Sequence, residues 1–170
     1  QLLSETNWRS LDYLIIDLPP GTGDIQLTLA QKVPVTGAVI VTTPQDIALL
    51  DARKGLKMFQ KVNVPVLGIV ENMSTHICTN RGHEEHIFGS GGGARMAADY
   101  NVDLLGALPL DLRIREEADG GRPTVVAAPE SGIARTYREI ARKAAAKLSL
   151  ESTKPRGPFS QFPKIVVQDS

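Results

Sequence analysis

Four short runs, residues 13–17, 38–42, 66–70 and 104–108, are almost continuously apolar and rich in β-branched side chains. A strand that is apolar at nearly every position is buried on both faces. That arrangement belongs to parallel sheets covered by helices, not to antiparallel sheets with one wet face. Helical patterns fill the spaces between the runs, at residues 24–32, 46–60 and 92–100. A last alanine-rich helix runs from about 131 to 148, with Arg and Lys towards its end, where cations suit the helix dipole. Asp46 is placed to cap the helix that follows the second run, since Ile47, Leu50, Lys54 and Met58 then fall near one face. Strand alternating with helix implies right-handed βαβ crossovers. The expected fold is α/β, a doubly wound, mostly parallel sheet with helices on both faces.

At 170 residues the chain suits one domain, expected over residues 1–150, with residues 151–170 as an extended tail around Lys154-Pro155-Arg156-Gly157-Pro158. Nineteen basic and nineteen acidic side chains leave no formal net charge. That argues against nucleic acid or an anionic membrane as the dominant partner. One cysteine excludes an intrachain disulfide framework and suits a reducing, cytoplasmic setting. No apolar run approaches the length of a membrane span. The chain opens on Gln1, in the middle of a pattern, and we read it as the later part of a longer polypeptide.

Ligands of open α/β sheets bind at the carboxyl ends of the strands, so the residues ending each run are the candidates. The first run ends on Asp17 and breaks into Leu18-Pro19-Pro20-Gly21-Thr22-Gly23-Asp24. A carboxylate there suits Mg²⁺, and Gly21 and Gly23 let backbone amides approach phosphate oxygens. The plainer reading is a tight strand-to-helix connection. The second run continues into Thr43-Pro44-Gln45-Asp46, where Thr43 and Asp46 face ligand or simply start a helix. The third ends Glu71-Asn72-Met73. Asn72 offers both donor and acceptor to a purine edge, though asparagine is also a common turn residue. The fourth ends Leu108-Pro109-Leu110-Asp111, where backbone groups beside Pro109 frame the same base.

A second candidate site lies between His76 and Gly89. It gathers Cys78, His76, His83 and His86, soft and borderline ligands that suit zinc or iron. The histidine spacing matches no standard finger, and one thiolate cannot hold an iron–sulfur cluster alone. A solvated loop with an incidental cysteine is the alternative. Ser90-Gly91-Gly92-Gly93 beyond it seats a helix N-terminus or, on weaker grounds, a phosphate.

Together these motifs resemble the Mrp/ApbC-type iron–sulfur cluster carrier P-loop ATPases of the deviant-Walker, MinD-like class. The resemblance rests on Leu11-Asp12-Tyr13, Asp17 to Leu29, Val41 to Leu49, Val64 to Ser74, His86-Ile87-Phe88-Gly89 and Leu105 to Asp111, and covers about residues 8–148. It implies a homodimeric, cytoplasmic ATPase that binds ATP with Mg²⁺ and passes iron–sulfur clusters to apoprotein acceptors. Asp17 would be the switch aspartate at Mg²⁺, with Gly21 and Gly23 beside the phosphates. Asn72, Pro109 and Asp111 would lie around the adenine and ribose, and Cys78 would ligate the cluster at the dimer interface.

Two departures stand out. The family's lysine-bearing glycine loop and its amino-terminal strands are absent from these residues, so this segment alone should hydrolyse essentially no ATP. The family's Cys-x-x-Cys reads Cys78-Thr79-Asn80-Arg81, which leaves a dimer two thiolates and puts a donor-only guanidinium at each second position. A mixed site completed by His76, His83 or His86 is the less favoured alternative to loss of the four-cysteine cluster site. The runner-up function is a cluster-free, ATP-binding scaffold or regulatory protein of the same fold. A membrane-positioning ATPase calls for a basic amphipathic terminal helix, which residues 159–170, with Pro163, do not supply.

Overall fold

The computed structural model describes residues 3, 5–19, 23, 28–30, 32–33, 35–78 and 82–153. The described residues up to Pro19 belong to one compact unit, and those from 23 to 153 to another.

In the first unit, residues 13–17 form no strand, contrary to expectation. Tyr13, Leu14 and Ile15 are exposed, Ile15 by 86%. A strand persists only as a member of a ladder. Among the described residues nothing pairs with this run, so its apolar character alone does not make it a strand.

The second unit is built on three parallel strands in the order β1-β2-β5: β1 (Ala38–Thr42), β2 (Val66–Glu71) and β5 (Leu104–Ala107). All three fall within a residue of the expected runs. Two further strands, β3 (His76–Ile77) and β4 (Glu84–Glu85), form a small antiparallel hairpin. The helices are α1 (Asp46–Lys61), α2 (Gly92–Asp99), α3 (Leu112–Asp119), α4 (Thr124–Ala127) and α5 (Gly132–Thr153). Residues 28–30 and 32 are also helical, within the expected 24–32, whose other members lie outside the described residues.

Neighbouring positions on β2 show that helices cover both faces of the sheet. Val70 packs with Leu105 and Leu108 against Tyr137, Ile140 and Ala144 of α5. Glu71, one residue on, meets the start of α2. Successive side chains of a strand point to opposite faces, so α2 and α5 lie on opposite sides. The largest fully buried side chains are Leu56 of α1, Ile69 of β2, Met96 of α2 and Leu105 of β5.

Asp46 is not the cap expected of it. Gln45, with φ −65° and ψ 142°, occupies the capping position without a side-chain bond, and Asp46 is the first helical residue. The bond from Leu49 N to Gln45 O (3.0 Å) starts the ladder one residue early. Asp46 therefore contributes charge near the helix dipole. At α5 the expected start holds: Ser131 Oγ accepts from Ala134 N at 3.1 Å. That helix continues to Thr153, past the expected end at 148.

Candidate functional site

The three parallel strands end at one edge of the sheet, and backbone bonds tie the residues that follow them together. Asn72 N donates to Thr42 O (2.7 Å), and Leu108 N donates to Glu71 O (2.8 Å). Ser74 N (2.9 Å) and Ser74 Oγ (3.1 Å) both donate to Leu108 O, and Leu110 N donates to Thr75 O (2.7 Å). Asn72, Pro109 and Asp111, expected to share a site, are thus carried on two loops stitched side by side.

Each has a defined local role. Asn72 Oδ1 accepts from Met73 N at 2.9 Å, which helps hold Met73 at φ 55°. Because a backbone N–H can only donate, the oxygen is the engaged atom, and the side-chain amide keeps both its donors. Pro109, lacking an N–H, sits between two residues whose amides are both engaged. Asp111 caps α3: Oδ1 accepts from Arg113 N and Arg113 Nε (both 2.9 Å), and Oδ2 from Arg113 Nη2 (2.6 Å). The Arg113 guanidinium holds the Asp111 carboxyl below its ordinary range, against a smaller opposing effect of burial.

Sequence reasoning overlooked two polar groups on this edge. Glu71 is 5% exposed, and its Oε2 accepts from Gly93 N at 2.5 Å. The start of α2, considered as a phosphate seat, thus already holds a carboxylate from the chain itself. The signal was a lone acid at the end of an otherwise apolar run. Gln45 Oε1 is buried without a hydrogen-bond partner among the described residues, at the mouth of the loop after β1.

The cysteine hairpin stands on the same edge. His76 pairs with Glu85 and Ile77 with Glu84. Cys78 N donates to His83 O (2.9 Å), and Gly82 N donates to Cys78 O (2.8 Å), so the half-buried, free thiol of Cys78 sits where the hairpin turns. His76 Nδ1 lies 3.1 Å from Leu110 O, and His86 Nδ1 lies 3.1 Å from Ser74 O. A carbonyl oxygen only accepts, so each contact is a hydrogen bond in which the ring donates from Nδ1. Among the described residues no group of three His, Cys, Asp or Glu side chains comes together as a metal set. Arg81 lies outside the described residues.

Of the phosphate-side residues, Asp17 is exposed in the first unit, and Gly23 is a non-helical position of the second. Gly21 lies outside the described residues. No helix among the described residues is long and apolar enough to cross a membrane.

Residues 1–145 match the family model described as ParA, NUBPL iron-transfer P-loop NTPase. An iron-sulfur cluster carrier protein of Pseudomonas fragi is 66% identical over 141 residues, which are 83% of this chain and 49% of that protein. Among solved structures, a nucleotide-binding protein of Archaeoglobus fulgidus in complex with ADP is 40% identical. It superposes with a TM-score of 0.61 over 71% of this chain and 49% of its own. The cell division ATPase MinD of Pyrococcus furiosus, 26% identical, gives 0.51 over 65% and 43%. The chain spans about half the length, or less, of the relatives it matches.

Proposed function

Given that the chain belongs to the NUBPL-type iron-transfer P-loop NTPase family, we propose that it serves an ATP-dependent carrier that binds iron–sulfur clusters and passes them to apoproteins. The observation that carries this reading is the placement of Cys78. The chain's single cysteine is held on a hairpin bonded to the loops that bear Asn72, Pro109 and Asp111. The names of the relatives, cluster carrier in one and ADP-bound in another, support the two halves of the activity.

In this reading Asn72 offers its amide donors to acceptor atoms of the adenine, and the backbone beside Pro109 frames the base. Asp111, through its cap on α3, fixes the loop on the ribose side. Asp17 holds Mg²⁺ as the switch aspartate, with Gly21 and Gly23 beside the phosphates. The cluster is cargo. The carrier is a homodimer in which each chain brings its Cys78 to the interface, a reading supported by the family resemblance and by the placement of Cys78 on the hairpin. It works in the cytoplasm.

The test is anaerobic reconstitution of the full-length protein, followed by absorbance, iron counting and transfer to an apoprotein. Cluster loading and transfer are expected. Failure of both, with gain of both in Arg81→Cys, would replace the carrier with a cluster-free scaffold of the same fold.

A further inference from the structure

We propose that His76 and His86 are positioning residues for Cys78, acting as two staples that seat the cysteine hairpin on the loops at the sheet edge. This deepens the carrier reading and rests on it for its functional meaning, though not for its geometry.

Among the described residues the hairpin has little else to hold it. Its strands are two residues each, and Glu84 and Glu85 are exposed. A two-stranded hairpin of this size is not stable by itself in water. The two histidines supply side-chain bonds out of it, one from each arm. His76, on β3, bonds Leu110 O, the carbonyl between Pro109 and Asp111. His86, directly after β4, bonds Ser74 O, two residues beyond Asn72. His76 is half-buried and His86 exposed, but both bonds are themselves part-buried, which strengthens each relative to a fully solvated one. The loops that receive the staples are themselves joined through Ser74 and Leu108. Cys78, two residues after His76, is therefore referenced to the same backbone as the three residues proposed around the nucleotide.

The assignment separates positioning from ligation. A histidine that ligates iron must offer a ring nitrogen, and any change of residue loses it. A histidine that positions through Nδ1–H can be replaced by asparagine, whose Nδ2 is the same number of bonds from Cα and also donates.

The experiment follows alkylation of Cys78 by iodoacetamide in the full-length protein, with mass spectrometry of the Cys78 peptide as the readout and amide exchange in β1 and β2 as the fold control. His76→Phe and His86→Phe should each speed alkylation about five-fold, as a lost hydrogen bond of ordinary worth would open the hairpin, while His76→Asn and His86→Asn should stay within about two-fold of the parent. Phenylalanine variants that react at the parental rate, or asparagine variants that react as fast as the phenylalanine ones, would overturn the proposal. Iron loading of the full-length protein gives the separate arm. If the parent takes up no iron, the carrier reading fails while the alkylation result still decides the staples. If the asparagine variants lose iron as fully as the phenylalanine ones, the histidines are ligands and the positioning assignment is wrong.

Discussion

Glu71 Oε2 accepts a hydrogen bond from the backbone N–H of Gly93, joining the carboxyl end of β2 to the first turn of α2. Both residues are buried, so the carboxylate meets an amide that has no water to fall back on. Glu71→Ala leaves that amide unpaired and should cost about 2 kcal/mol, whereas Glu71→Gln keeps an oxygen in place and should cost less. Chemical denaturation of the three proteins checks the order.

The same junction is closely packed. A Cβ on Gly92 would lie 2.8 Å from Pro44 O and 2.8 Å from Leu49 Cδ1. Gly92→Ala should therefore destabilise by about 1–3 kcal/mol, because backbone on the far side cannot give way as a side chain does. A deeper case is Gly68, at φ 155°, where a Cβ would lie 2.5 Å from Asp103 O. Gly68→Ala should separate β2 from β5, and loss of the slow-exchanging amide of Ile69, which donates to Asp103 O, would report it.

How far the sequence could be read follows from these elements. The runs at β1, β2 and β5 announce themselves because each is apolar on both faces and pairs with a neighbour. Residues 13–17 share that composition but have no partner among the described residues, and composition does not reveal a ladder. Helix α3 was missed because its charged face dominates; the available signal was Asp111 as a cap ahead of Leu112 and Ile114. Hairpin strands of two residues carry no period at all. Their bonds to Leu110 O and Ser74 O join residues 34 and 12 apart in the chain, beyond the reach of local pattern. Cys78 was legible as a residue type, its seating was not.

Asp111 gives a pH dependence with a definite sign. Its carboxyl is held below the ordinary value of 3.8 mainly by the Arg113 side chain. A carboxylate with a lowered folded-state value adds stability that is complete above the unfolded value and fades as pH falls through the folded one. Loss should thus begin below about pH 4. Arg113→Ala should move the Asp111 titration upward, read from its side-chain carboxyl resonance by NMR.

Strand β1 lies at one end of the described sheet, with Val41 61% exposed. An exposed apolar edge strand templates association. Val41→Lys should slow the aggregation of the 170-residue chain without changing its helical content, as followed by light scattering and circular dichroism.

A cluster carrier of this kind stands or falls on whether Cys78 holds the cargo. The direct measurement is iron per chain, with the sulfur-to-iron absorption band, after anaerobic reconstitution of the full-length protein and of its Cys78→Ser variant under one protocol. The parent should bind iron as a dimer, and the variant should lose both the iron and the band while keeping its fold. Equal iron in the two proteins would contradict it.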